Sequence, residues 1–393
     1  MATADSDEVI PRSDDSAVVD TSASGVASTA GRALALGCAL TASEALDGLA
    51  GELSEIGLPR LPAYWGGWEE RVHVIARSDR VLAQFGVLDE VQEQERRDAP
   101  LTITPAGSPE RAARVDVWTQ VAAEPTPENS VAFLRLLMTD REPVAAAAAA
   151  AALSSWRRSK EIPPPEPLLR AHALARSYAA SDIPRASELA RASIGDPDAP
   201  LEDQVDESFD GPAREHHAES VSLMVHGTGA YIGDWWYPGG DFHTYVLAQI
   251  RPDLYAGGHP FTWSGAYKKK HREVAAKRLA RWAADAQPDG LHTVFAHSYG
   301  GIIALRATIY GLRLEELVLL SAPAERVPVE WRNVGRAVSL RIHMDLVLLA
   351  ARRRQQFTEN VEENHLPMWF WRHGDSHSPK VWDDLRCAAQ LFL

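Results

Sequence analysis

Two rhythms of apolar positions divide the chain. From about residue 31 to 195 the sequence is rich in alanine, and its apolar positions recur at helical spacing. Breaks fall at "PTPENS" (125–130) and "IPPPEP" (162–167). Pro127, Glu128 and Asn129 suit a helix start, and "TDREP" makes a turn that puts Pro143 near the first position of a second, alanine-dense helix. A further helical pair is expected in "PEPLLRAHALARSYAASDIPRASELARAS".

After residue 220 the rhythm changes to short apolar runs alternating with helical stretches. Six runs read as strands: "SVSLMVHG", "HPFTWSG", "LHTVFAHS", "LEELVLLSAP", "AVSLRIHMD" and "LPMWFWRHG". Between several of them lie stretches such as "KKKHREVAAKRLARWAADA" and "GGIIALRATIYG". Strands that alternate with helices imply a mainly parallel sheet covered on both faces, a three-layer α/β domain over 220–393. The expected organisation is an acidic, disordered tail over 1–30, a helical domain over 31–195, a polar linker over 196–219 and the α/β domain.

Composition narrows the partners. The chain has 393 residues and a net charge of −14, which argues against nucleic acid, since phosphate binding needs clustered positive charge. Its two cysteines, Cys38 and Cys387, make a disulfide framework unexpected and fit a reducing, cytoplasmic setting. No run approaches the roughly 18 to 20 apolar residues that span a bilayer, and the N-terminus lacks a basic start followed by an apolar run. His216 and His217 sit side by side in the linker, with nothing nearby to complete a zinc set.

The densest chemical signal is "LHTVFAHSYGGIIALRATIYG" (291–311). An apolar run leads into Ser298, and small residues flank it at Ala296, Gly300 and Gly301 before a helical segment. This is a G-x-S-x-G nucleophile elbow with alanine in the first small position. A sharp strand-to-helix turn needs small residues there, and it would aim the N–H groups of the following helix at a developing oxyanion. Upstream, "SLMVHGTGAYIGDWWYPGGDF" ends a strand in His-Gly and small residues. The backbone N–H of Thr228 or Gly229 is expected to join that of Tyr299 in an oxyanion hole. His226 reads as a structural histidine of that loop.

A serine needs a base, and the base an orienting acid. Asp345 follows the run "AVSLRI", where catalytic groups gather at a parallel sheet's edge, although a helix cap ahead of "LVLLAARRR" explains it too. His377 lies in the loop before a helix near Pro379 and is the favoured base; His373, closer to the strand, is the runner-up.

On the "VHGTG" and "AHSYGG" motifs, the segment from about 220 to the end resembles the α/β-hydrolase superfamily, in particular its lipases and esterases. The resemblance implies a Ser298–His377–Asp345 triad, an oxyanion hole from Thr228, Gly229 and Tyr299, and no cofactor or metal. The paired N-terminal helices more loosely resemble HEAT-type repeats, and a plain helical bundle explains them equally well. Trp235, Trp236 and Tyr237 are expected either to line an acyl pocket or to pack the loop on the sheet, and Ser264 to be a strand-end residue or pocket wall. The basic runs "YKKKHR" (267–272) and "ARRRQQ" (351–356) read as solvated helix faces, or as an attraction for anionic head groups.

The expected function is a cytoplasmic serine hydrolase acting on small-molecule or lipid esters, its helical region open to a protein partner. Three rivals stand beside it: an acyltransferase or thioesterase, an inert hydrolase fold serving interaction or regulation, and a hydrolase effector held off until the helical domain senses a signal. Whether the N-terminal helices cover the site is left open by the sequence.

Overall fold

The computed structural model of the protein describes residues 22–40, 109–124, 126–156, 165–195, 220–229, 233–343, 345–357, 359–369 and 373–392. The expected linker, with His216 and His217, lies outside the described residues. So do residues 1–21 of the expected tail; the remainder of that tail is helical, because α1 spans Ser22–Leu40.

Among the described residues five more helices follow before the sheet: α2 (Pro109–Ala123), α3 (Pro127–Leu137), α4 (Pro143–Trp156), α5 (Pro165–Ala179) and α6 (Pro184–Ile194). Local chemistry sets several of their starts. Thr126 caps α3 by accepting from the Asn129 N–H at 3.2 Å, with Pro127 in the first turn. In α4, Ala145 to Ala152 are all buried, the mark of a helix surrounded by others. Its small side chains let neighbours approach closely: a Cβ on Gly37 of α1 would come within 2.8 Å of Ala152. Alanine thus serves here for backbone proximity more than for buried area.

The second half is an α/β unit with an all-parallel sheet in the order β1-β2-β3-β4-β5. The strands are β1 (Leu223–Val225), β2 (Leu291–His297), β3 (Leu314–Leu320), β4 (Val334–His343) and β5 (Glu362–Trp369). Helices α7 (Asp241–Gln249) and α8 (Lys269–Ala286) precede β2, and α9 (Tyr299–Ala307) follows it. Helix α10 (Leu346–Ala350) lies between β4 and β5; α11 (Pro379–Asp384) and α12 (Cys387–Phe392) close the chain. Alternation along the strands sorts two cores. Val294, Ala296, Leu317 and Leu319 pack with α8 and α9 on one face. Their neighbours Phe295, Val318 and Leu320 pack with Phe242, Trp382 and Leu391 on the other.

Two strand expectations change. The run "HPFTWSG" forms no strand, because Trp263 donates its backbone N–H to His226 Nε2 (3.2 Å) and its indole N–H to the His226 carbonyl (2.8 Å) instead of to a ladder. Strand β5 begins at Glu362, ahead of the apolar run that signalled it.

A third core ties the halves together. Leu346, Val347, Leu349 and Ala350 of α10 pack among Leu34, Leu36, Ala149, Leu153 and Leu189 of the N-terminal helices. Cys38 donates its thiol to the Leu349 carbonyl at 3.6 Å, and both Cys38 and Cys387 are free and buried. Among the described residues no helix is long and apolar enough to cross a membrane.

Candidate active site

The carboxyl ends of the parallel strands share one edge, and the residues singled out in the sequence follow them. Ser298 comes directly after β2, with φ 51° and ψ −129°. A non-glycine residue adopts such a backbone only where its surroundings impose it. The Ser298 N–H donates to the Leu320 carbonyl at 2.9 Å, extending the β2–β3 ladder one residue, while its own carbonyl accepts from Gly301 at 3.0 Å as α9 begins. The chain must reverse within that single residue.

Small neighbours make the reversal possible. A Cβ on Gly300 would fall 2.5 Å from the His226 carbonyl oxygen and 2.6 Å from that of Val225, both rigid backbone atoms at the end of β1. Gly227 presses on the serine itself: a Cβ there would meet Ser298 Cβ at 2.8 Å. Ser298 is consequently only 4% exposed. Beside it, Tyr299 opens α9, and a first-turn N–H has no intrahelical acceptor. The Tyr299 side chain points elsewhere, its hydroxyl accepting from Arg353 Nε at 2.8 Å and its ring lying under the Arg272 guanidinium at 4.2 Å. The first basic run therefore gives Arg272 to the interior of the fold, and the second sets a half-buried Arg353 on the Tyr299 hydroxyl.

Asp345 does two jobs. Oδ1 caps α10, accepting from the N–H groups of Val347 (2.9 Å) and Leu348 (3.3 Å), so the helix-cap reading holds. Oδ2 accepts from His373 Nδ1 at 2.6 Å, with both side chains buried. Burial alone would disfavour the imidazolium of His373. The Asp345 charge and hydrogen bond, with the charge of Glu188, outweigh it and raise the pKa above the ordinary histidine value.

The partner of Asp345 is thus His373, where the sequence favoured His377. The two lie at opposite ends of one 3₁₀ turn, His373–His377. His377 stacks on Trp235 with ring centroids 3.9 Å apart and planes 11° from parallel. Burial there, with the charge of His373, pushes its pKa down to about 3. A histidine so held stays neutral and has Trp235, not the acid, as its neighbour.

His226 is structural, as its position in the loop suggested. Its Nε2 accepts from Trp263, so Nδ1 carries the proton and donates to the Gly227 carbonyl at 2.9 Å. Trp236 packs against the same ring at 4.3 Å. Burial lowers the His226 pKa to about 4.

A cavity of about 580 Å³ opens over this edge. Thr228, Gly229 and Trp235 line it with His297, His373 and His377. Trp236 (9% exposed), Tyr237 (41% exposed, at the surface) and Ser264 (buried, accepting from the Ala266 N–H at 3.3 Å) do not. The opposite wall comes from the N-terminal helices: Ser181, Asp182 and Pro184 at the α5–α6 turn, then Ser187, Glu188 and Arg191 on α6. Ser298 is not itself in the wall, but its immediate neighbours Gly227 and His297 are.

Two of these residues escaped sequence reasoning. His297 sits inside the elbow motif; its Nε2 meets the His373 carbonyl at 3.4 Å and its ring lies 4.6 Å from that of His377. Burial and the charges of His377 and His373 hold its pKa well below the ordinary value. Its place next to Ser298 was the signal that could have found it. Glu188, 110 positions upstream of the serine on a helix of the other half, carried no such signal. Among the described residues no group of histidine, cysteine, aspartate and glutamate side chains could hold a metal ion.

Comparison with models of known protein families finds no match, and comparison with curated proteins finds none either.

Proposed function

We propose that the protein is a serine hydrolase of α/β-hydrolase architecture, cleaving carboxylic esters through an acyl-enzyme on Ser298. One observation carries the reading. A serine in a strained strand-to-helix turn shares its sheet edge with a buried Asp345–His373 pair. Serine, acid and histidine also follow one another along the chain in the order this architecture uses.

The reaction then runs as follows. His373 takes the Ser298 Oγ proton on Nε2, leaving its Nδ1–H on Asp345, and Oγ bonds to the ester carbonyl carbon. The oxyanion so formed accepts from the Tyr299 N–H and from the N–H of Thr228 or Gly229, donors worth roughly 3 to 4 kcal/mol each to the barrier. Collapse breaks the bond to the alkoxide, which leaves with the proton from His373. Water, deprotonated by the same nitrogen, cleaves the acyl-enzyme and restores Ser298. The raised His373 pKa reflects the stabilisation of its charged form that both steps require.

The 4% exposure of Ser298 favours a second reading, an inert hydrolase fold used for interaction. A fluorophosphonate probe separates the two. Labelling of the full chain that disappears in Ser298→Ala supports the enzyme; no labelling, or labelling that survives the substitution, overturns it.

A further inference from the structure

The wall facing His373 has a chemistry that hydrolysis alone does not require. Glu188 lines the cavity with an exposed side chain, between the buried Ser187 and Leu189 of α6. Among the described residues it makes no hydrogen bond or ion pair. Its carboxyl is close enough to the site to feel the charges of both His373 and Asp345. Desolvation by the protein around the cavity raises its pKa first, with Asp345 adding to the rise and His373 and Arg185 opposing it. A carboxyl on a cavity wall without an ion-pair partner is free to take a cation brought in from outside.

The surroundings fit such a cation. Asp182 adds a second carboxylate to the wall, and Trp235 and Tyr267 supply aromatic rings, the combination that recognises ammonium groups. Among the described residues Arg191 is the only arginine or lysine of the wall, and its Nε already donates to the Ala179 carbonyl at 2.8 Å. An anionic ligand would have to sit beside two carboxylates, with Asp345 close behind. Among the described residues of the wall a long acyl chain would find only Val347 as a branched aliphatic partner.

We propose that the cavity is built for substrates carrying an ammonium group, held by Glu188 against the aromatic faces of Trp235 and Tyr267. As a statement about substrates this rests on the hydrolase reading of Ser298. As a statement about binding it does not. Helix α6 would then set specificity across the cavity from the proposed catalytic pair, which gives the N-terminal helices a direct part in the site.

The test uses the full chain and two probes of matched shape, choline and its uncharged carbon isostere 3,3-dimethylbutan-1-ol. Calorimetric titration should show choline binding more tightly by about tenfold or more, a difference of roughly 1.4 kcal/mol or more. Glu188→Gln should remove that preference while leaving affinity for the alcohol unchanged. Glu188→Ala, which only enlarges the cavity, should do the same and covers the case where the glutamine variant does not fold. Equal binding of both probes, no binding of choline, or a preference that survives both substitutions overturns the proposal. Fluorophosphonate labelling of the same samples reports separately on Ser298. Preference without labelling would sink the hydrolase reading alone, and labelling without preference would sink this one alone.

Discussion

The turn after β2 and the turn after β5 present side chains to the same sheet edge, but their geometry has different origins. At the first, local sterics decide. Ser298 is forced into its backbone conformation by neighbours one to three residues away and by the end of β1 pressing on Gly300. At the second, distant partners decide. His373 and His377 are four residues apart, one buried and the other half-buried, and one meets Asp345 while the other meets Trp235. Their pKa values move in opposite directions: the charges of Asp345 and Glu188 overcome desolvation at His373, while at His377 the charge of His373 adds to it. Burial does not assign a histidine's role; the group it is buried against does.

The sharpest way to break this comparison is to exchange the fates of the two histidines. His373→Ala should lower ester hydrolysis and probe labelling by about a thousandfold or more, the scale of losing a triad member. His377→Phe, which keeps a ring on Trp235, should stay within about tenfold. A reversed result in rate measurements would make the His373–Asp345 pair structural and return His377 to the role the sequence favoured.

At the other turn, Gly300→Ala tests whether sterics govern. The added methyl meets backbone oxygens of His226 and Val225, which cannot swing aside as a side chain can. The expected loss is about 3 kcal/mol, at or above the usual range for overpacking. A denaturant midpoint close to wild type would show that the elbow is looser than these contacts imply.

pH sharpens the contrast further. The folded pKa of His377, about 3, lies below the ordinary value of 6.5, so its contribution to stability is complete above pH 6.5 and is lost as pH falls toward 3. His373, with a raised folded pKa, acts with the opposite sign: its contribution is complete below 6.5 and is lost as pH rises through the folded value. His377→Phe should therefore flatten the decline in stability on acidification, by on the order of 2 kcal/mol at pH 4, in melts recorded across that range. Unchanged slopes would mean that the ring is solvated.

The smallest effect is expected at Tyr299, where the proposed reaction uses only the backbone N–H. Tyr299→Phe removes the acceptor for Arg353 and should cost about 1 kcal/mol of stability. Turnover should hold; a fall in kcat without a fall in melting temperature would show that the hydroxyl takes part.

Much of this was legible in the chain. Strand-helix alternation announced the parallel sheet, and Pro127 with Glu128 and Asn129 marked a helix start, because such signals act over a few residues. Asp345 was found with both of its candidate roles, and the structure shows it filling the cap while holding a histidine. The misses share a cause. "HPFTWSG" has a strand's composition but spends its N–H groups on His226, and the choice between His373 and His377 depended on which ring reached Asp345. Trp236 and Tyr237 were grouped with Trp235, yet only Trp235 faces the cavity.

By itself, the sequence determined where the chain turns sharply and which residue stands at the turn, since only small side chains fit so close an approach of strand, helix and neighbouring strand. It also determined the two faces of the sheet, through alternation along β2 and β3. Tertiary structure alone decided which histidine meets the acid, and that α6 brings Glu188 to the cavity wall. Those pairings join residues from 28 to more than a hundred positions apart, at distances where packing of α10 against the N-terminal helices, not local conformational preference, sets who meets whom.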